Sequence, residues 1–248
     1  MAVIPLTPRP VRDTTYCVRL ATSESDVRRA QRLRFEVFNL ELHEGLDTSF
    51  ATGLDADPFD AACDHLLVEH LPSGLLVGTY RLQTGRQAAA HLGYYSEQEF
   101  DFSPFEPIRN EMIELGRACV HRDHRSMAVI TRLWRGIADY ARARGGRYLI
   151  GCSSLTSQDP ADAAAVYQRL APEHLVAPAW RTRPLPLYLC PRIEPGDPAT
   201  PVPRLLAAYL GVGAKICGEP ARDQQFKTID FLTFLDLQAL APSAHRFL

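Results

Sequence analysis

The chain alternates apolar runs of strand character with longer stretches whose apolar residues recur every three to four positions, and this alternation predicts its elements. Thr15 to Ala21 alternates as a first strand, and Ser23-Glu24-Ser25-Asp26 offers a capping box for a helix reaching about Leu42. Cys63 to Leu71 and Leu75 to Leu82 are β-rich apolar runs parted by Pro72-Ser73-Gly74, which predicts a hairpin. Met112 to Val120 reads as another strand. Between Ala128 and Arg144, residues Val129, Ile130, Leu133, Trp134, Ile137, Tyr140 and Ala141 form one stripe of a helix. Arg147 to Cys152 reads as a strand, and Pro160 to Leu170 as a short helix with Asp159 at its N-cap. Residues 43–62, with Glu44, Asp47, Asp55, Asp57 and Asp60, form a long acidic loop expected to be too polar to pack and to cover a site. Gln83 to Arg109 shows no regular pattern. After Pro172 prolines recur as far as Pro203, followed by an apolar helix at Leu205 to Leu210 and a strand near Thr228 to Leu237 that could return to the main sheet.

At 248 residues the chain is long enough to bury a full core, and 46% hydrophobic and 23% charged residues with a net charge of −2 are ordinary for a globular protein. That balance does not favour nucleic acid as a partner. The six cysteines are widely spaced without a C-x-x-C, and Cys17, Cys63, Cys119 and Cys152 fall in apolar runs, which points to reduced buried thiols. Met1 to Arg12 carries three prolines and no apolar core of a signal peptide, and no run of 18 apolar residues occurs. A cytoplasmic protein is expected, at most peripheral on the inner face of a membrane.

Charge inside the Met112 strand is the first chemical signal, because a core strand would carry neither Glu114 nor Arg117. The pair could be a structural ion pair. A partly desolvated Glu114 would also have its pKa raised toward neutrality and suit a general base for an amine. Arg81 sits in the apolar hairpin and needs a buried carboxylate, with Asp57, Asp60 and Glu114 as the supply. Arg34 and Phe38 share a face of the first helix at i and i+4. From Arg117 to Arg147 eight arginines face only Asp123 and Asp139, a surplus of six positive charges, and something acidic is expected to dock there. His121-x-x-His124 lacks a third ligand, so no metal is expected. Cys119 has no base near it in sequence and reads as a small buried thiol, and His65 as a residue satisfying the acidic loop.

The set Arg34-x-x-x-Phe38, Asp57-x-x-Asp60, Gly78-x-x-Arg81 and Glu114-x-x-Arg117 resembles the pattern of acyl-homoserine lactone synthases, within the GNAT-like acyltransferases. FDAACDHLLVEH at 59–70, VGTYRLQ at 77–83, YYSEQEFDFSP at 94–104, the stretch from Glu114 to Tyr140, YLIGCSSL at 148–155 and KICGEPARDQQFKTIDFLTFL at 215–235 resemble the ornithine-acyl carrier protein N-acyltransferases, also called hemolysin-like GNAT proteins. The resemblance implies an α/β GNAT-like fold, a mixed and bent central sheet with helices on both faces. From the change of texture after Pro172, a core at 15–171 is expected after an extended or disordered segment 1–14, with a proline-rich part 172–248 that completes the fold. The apolar helix face of Leu205, Leu206, Tyr209 and Leu210 is expected to pack on the sheet and to wall one side of an acyl tunnel, since a fatty chain needs a long apolar groove.

The resemblance further implies transfer of a fatty acyl group, typically 3-hydroxylated, from acyl carrier protein to the α-amine of an amino acid such as ornithine, with no permanently bound cofactor. Arg34, Phe38, Asp57, Asp60 and Arg81 would serve substrate binding and Glu114 with Arg117 catalysis. Backbone groups at Ala118, Cys119 and Val120 would polarise the thioester beside the pantetheine, and Arg122, Arg125, Arg132 and Arg135 would receive the acidic carrier. One departure from the wider GNAT pattern is the glycine-free loop Arg122-x-x-Arg125-x-Met127-Ala128, which weakens a coenzyme A pyrophosphate cradle and suits a carrier-protein donor. Two other classes stay open: a homoserine lactone synthase using S-adenosylmethionine, and a non-catalytic module binding the carrier protein or lipid.

Overall fold

The computed structural model describes residues 15–191 and 193–241; the expected N-terminal segment 1–14 lies outside them. Strands β1 (Tyr16–Leu20), β2 (Asp64–His70), β3 (Leu75–Thr84), β4 (Met112–Val120), β5 (Tyr148–Leu155), β6 (Lys215–Ile216), β7 (Ala221–Asp223) and β8 (Thr228–Asp236) build one sheet. Its order is β1-β2-β3-β4-β5-β8-β6, with β7 also on β8. Only β4 and β5 run parallel, joined by helix α3 (Met127–Arg144) as a crossover; every other pair is antiparallel. This is the mixed α/β sheet that the resemblance implied.

Alternation along β2 puts helices on both faces. Leu66 and Val68 point to α3 and meet Val129, Leu133 and Ile137, while Leu67 between them meets Ala30, Leu33 and Val37 of the first helical segment. Each fully buried aliphatic side chain stabilises the fold by roughly 1.5–3 kcal/mol. Helix α3 ends at Gly145, whose φ of 70° supplies the left-handed cap that lets the chain turn into β5.

The first helix, α1 (Glu24–Arg34), is capped by Ser23, whose hydroxyl accepts from Asp26 N. It continues to Glu41 as a π-helix from Phe35, a widened turn of the kind found at functional sites. The hairpin forms as expected, although β3 runs on to Thr84. There a capping box, Thr84 with Gln87, starts the short helix α2 (Gly85–Ala90), so the region from Gln83 to Arg109 is more ordered than its pattern suggested. The remainder of that region forms single helical turns at Tyr95–Gln98 and Ser103–Glu111. Helix α4 (Pro160–His174) is capped by Asp159 and runs a turn past the expected Leu170.

The proline-rich part rejoins the sheet. β8 pairs with β5 along eight positions, from Tyr148–Asp236 to Leu155–Ile229, and helix α5 (Arg204–Gly211) packs nearby. Leu206 of α5 is wholly buried against Ile229 and Phe231, and Tyr209 donates to or accepts from Tyr80 at 2.7 Å. No described helix is long and apolar enough to cross a membrane.

Candidate active site

β4 and β5 hold register over only three residues, Met112 to Glu114 against Tyr148 to Ile150, and then part. At the fork a β-carbon on residue 151 would lie 2.1 Å from Leu115 O, so Gly151 is what lets the strands approach before they separate. A cavity of about 380 Å³ opens at this fork, a size suited to a small-molecule site. Its wall includes β4 from Glu114 to Ala118, the β5 residues Cys152 and Ser154, and Leu205 and Tyr209 of α5.

Strand β4 bulges as it passes the cavity. The register moves from Arg81–Gly116 to Thr79–Cys119, so Tyr80 faces two residues, and Arg117 takes the extra place with φ at 49°. Its guanidinium carbon stands 4.3 Å from the Phe38 ring centre and 4.6 Å from that of Phe226, and Arg117 pairs with Asp55. The structural alternative of a Glu114–Arg117 ion pair therefore does not hold. The bulge turns Arg117 to Asp55, 62 positions away in sequence.

Glu114 is 5% exposed and belongs to the cavity wall. One carboxylate oxygen accepts from Tyr95 N at 2.7 Å, and the other from Ser96 N at 2.8 Å and Ser96 Oγ at 2.6 Å. Burial raises its pKa, while the Ser96 and Tyr95 hydrogen bonds and the charge of Arg81 oppose that rise. Gln83 lies opposite Glu114 in the ladder, and its buried Oε1 meets no donor among the described residues, leaving an acceptor in the cavity for an incoming N–H.

Asp55 and Asp60 of the acidic loop are buried and Asp57 half-buried, contrary to the expectation that the loop is too polar to pack, because arginines neutralise them, while Asp47 stays exposed. Arg34, 1% exposed, donates to Asp55 at 2.8 Å and to both oxygens of Asp60 at 2.8 and 2.7 Å. Arg81 donates to Asp57 at 2.6 Å and Asp60 at 3.1 Å, and does not bond Glu114. His65 reaches Asp60 O at 3.0 Å, as expected of a residue that satisfies the loop. Asp60 is held well below the usual carboxylate range because Arg34 and Arg81 outweigh its burial. This lattice fixes the loop over the cavity, whose wall also contains Phe38, Glu44 and Arg81.

A second acidic cluster was not foreseen in the sequence. Glu99 and Asp230 gather around Cys152, with Asp223 near both acids and all three acids buried; the Cys152 Sγ lies 3.4 Å from Ser96 Oγ and 3.6 Å from Glu99 Oε2. Burial, then the neighbouring acids, drive the Glu99 carboxyl well above the carboxylate range, and burial lifts Asp230 to about 6. Tyr95 and Ser96 were also missed as donors to Glu114. The run Tyr94-Tyr95-Ser96 carried no periodicity to mark it, and Glu99 and Asp230 are 131 positions apart.

The remaining expected sites separate. Cys119 faces α1 in the core, its thiol pushed up to about 12 by burial, and neither it nor Val120 borders the cavity, although Ala118 does. His121 N donates to Val77 O, so by ladder alternation the Cys119 amide faces β3 and the Val120 amide faces the gap beside β5. Arg122 and Arg135 are exposed. Arg125 is engaged by Glu41 at 2.5 and 2.7 Å, and half-buried Arg132 donates to Tyr16 O at 2.9 Å. On the tail helix, Leu205 and Tyr209 border the cavity, whereas Leu206 is in the core. His124 bonds Tyr16 at 3.0 Å and His121 stacks edge-on to it. The group with metal-ligand spacing among the described residues is instead Glu99, Cys152 and Asp230, whose ligand atoms lie within 4.8 Å of one another. Burial drives the Cys152 thiol well above its ordinary value, so it keeps its proton rather than serving as a thiolate.

A forked parallel pair, a bulge beside it and a buried carboxylate at the fork suit transfer of an acyl group to an amine. Residues 33–135 match the acetyltransferase (GNAT) domain family. The chain is 32% identical over 246 residues to the L-ornithine N(alpha)-acyltransferase of Rhodobacter capsulatus, covering 94% of each. It is 34% identical to that of Brucella abortus, covering 90% of this chain and 85% of the relative. Its fold is similar to FeeM, an N-acyl amino acid synthase from uncultured soil microbes, with a TM-score of 0.55 at 12% identity, and to the AHL synthase LasI, with 0.52 at 12% identity, each over 90% of both chains. The carboxylate at the fork thus belongs to an acyltransferase, and the chain is a member of the L-ornithine N(alpha)-acyltransferase family of the GNAT fold.

Proposed function

We propose that the protein transfers a fatty acyl group, typically 3-hydroxylated, from the phosphopantetheine thioester of acyl carrier protein to the α-amino group of L-ornithine. The observation that carries this reading is Glu114, a buried carboxylate held by Tyr95 and Ser96 in the wall of the cavity where β4 and β5 part. The relatives that cover most of the chain name the same acceptor. The neutral α-amine attacks the thioester carbonyl carbon. A C–N bond forms and the C–S bond breaks; the amine proton passes to Glu114 directly or through water and from there to the departing sulfur, so the pantetheine leaves as a thiol. The backbone amide of Ala118, which borders the cavity, would polarise the carbonyl, with that of Val120 facing the same gap beyond it. Gln83 Oε1 can hold the amine for attack.

A direct attack fits the thiols better than an acyl-enzyme does, because burial raises the pKa of Cys63 and of Cys119 to about 12 and Cys119 lies outside the cavity. The carrier would approach the exposed Arg122 and Arg135, and contact with a membrane would be peripheral. The relatives that cover most of the chain are named for ornithine, which favours this reading over one that uses S-adenosylmethionine. Purified protein incubated with L-ornithine and 3-hydroxyacyl carrier protein is expected to yield N-acylornithine by mass spectrometry, faster than with the matching acyl coenzyme A. Formation of methylthioadenosine from S-adenosylmethionine with no acylornithine would overturn the reading.

A further inference from the structure

Two acidic clusters of opposite standing flank the cavity, which the first reaches through Arg81 and Arg117 and the second through Asp230. Asp55, Asp57 and Asp60 are neutralised by Arg34, Arg81 and Arg117. Glu99, Asp223 and Asp230 have no lysine or arginine partner among the described residues, although their exposures are 0%, 3% and 4%. Asp223 is partly satisfied, since one oxygen accepts from Gln225 N at 2.7 Å and Phe226 N at 3.0 Å. Glu99 and Asp230 hydrogen-bond each other, and Cys152 and Thr228 reach one oxygen of each at 3.6 and 3.4 Å. Asp230 Oδ1 and Glu99 Oε1, however, meet no lysine, arginine or other donor group among the described residues, and Asp230 borders the cavity directly. Burying an acid pair without a cation costs free energy, which a fold tolerates where a ligand supplies the missing positive charge and donors.

We infer that Asp230, backed by Glu99, receives the side-chain ammonium of the amino-acid acceptor and makes the enzyme selective for a diamino acid. This rests on the ornithine reading above and adds the residues that would set its specificity. Spacing supports it. Contacts of 2.6, 3.4 and 3.6 Å lead from Glu114 through Ser96 and Cys152 to Glu99, so the pair stands a short step from the base. The two nitrogens of ornithine are joined by five bonds of about 1.5 Å and lie about 6 Å apart when extended. With the α-amine beside Glu114, the ammonium falls toward Asp230. Its three N–H donors meet the open Asp230 Oδ1, and the Thr228 and Ser154 hydroxyls near that carboxylate can turn to the new charge. Glu99 acts as a positioning residue behind Asp230. A divalent metal is the competing occupant, and it would need Cys152 to lose a proton that burial strongly holds.

The test compares acyl transfer to L-ornithine and to L-norvaline, which has the same carbon chain without the ammonium, in the parent, Asp230→Asn and Glu99→Gln. Calorimetric binding of each amino acid to the same proteins is measured in parallel. The parent is expected to favour ornithine in kcat/KM on the order of 10²-fold or more, as sites built around a polar substrate group do. Both variants are expected to bring that ratio toward unity and to lose ornithine binding. A ratio that survives in both folded variants, or that collapses instead in Glu44→Gln, overturns the inference and leaves the ornithine reading intact. Should Asp230→Asn not fold, Glu99→Gln decides. Ornithine binding that depends on Asp230 without any acyl transfer would sustain this site and remove the reaction assigned above. One equivalent of a divalent metal in the purified protein, lost in Asp230→Asn, overturns it.

Discussion

Glu114 is both buried and served by three donors, and these features act on its pKa in opposite directions. Burial prevails, so the rate should climb with pH along an acid limb set above the ordinary glutamate range. Ser96→Ala removes hydrogen bonding to the charged form and should move that limb to higher pH while Glu114 keeps its place; a pH–rate profile from 6 to 9 reads it. Glu114→Gln is nearly isosteric, although its NH2 loses the hydrogen bonds that one oxygen accepts, and should lower kcat/KM on the order of 10² or more while the protein still folds. Turnover at the parent rate across that range would leave Glu114 a structural residue only. Asp230 gives a stability counterpart. Its pKa is about 6 in the fold against an ordinary 3.8, so folding favours the protonated form, and the stability this contributes below pH 3.8 is lost as pH rises through 6. Asp230→Asn should therefore raise the melting temperature by more at pH 8 than at pH 5.

At the scale of elements, the acidic segment and the tail helix have their positions fixed by different forces. Ion pairs hold the first. Removing one partner of the buried Arg34 lattice, as in Arg34→Met, leaves Asp55 and Asp60 short of a cation and should cost about 3–5 kcal/mol in urea unfolding. Apolar burial holds the second, and it sorts neighbours by face: Leu206→Ala should cost roughly 2–5 kcal/mol without altering chain-length preference. Leu205, at the cavity, is the position to enlarge. Leu205→Trp should shorten the preferred acyl chain at normal stability, measured with a series of acyl donors, and an unaltered profile would place the acyl tunnel elsewhere.

For the whole molecule, the arginine surplus from Arg117 to Arg147 is smaller as a docking field than its count suggests, because Arg117 and Arg125 are paired within the chain and Arg132 is tied to the backbone of β1. Arg122 and Arg135 remain exposed. Steering by exposed charge acts on association and is screened beyond ~8 Å at physiological salt. An Arg122→Glu, Arg135→Glu variant should raise the apparent KM for acyl carrier protein several-fold and flatten its salt dependence while leaving kcat near the parent value. An unchanged KM would remove this face from carrier docking.

Local pattern made the hairpin, the capped first helix, the α3 stripe and the charged residues of β3 and β4 legible, since periodicity and caps depend on residues a few positions apart. It also carried the family, through phrases spread from Phe59 to Leu235. What local pattern could not decide was pairing. Arg117 meets Asp55 rather than Glu114 because a bulge reverses its direction, and no spacing rule encodes a bulge. The acidic segment packs because arginines from α1, β3 and β4 converge on it. Glu114 finds its donors in an irregular turn 18 and 19 residues upstream. The Glu99–Asp230 pair joins a loop to the strand that returns last to the sheet. Sequence determined which elements form and which chemistry is present; the forked sheet decided which charges are neutralised and which are left open to a substrate, because burial and long-range contact exist only once the chain has closed.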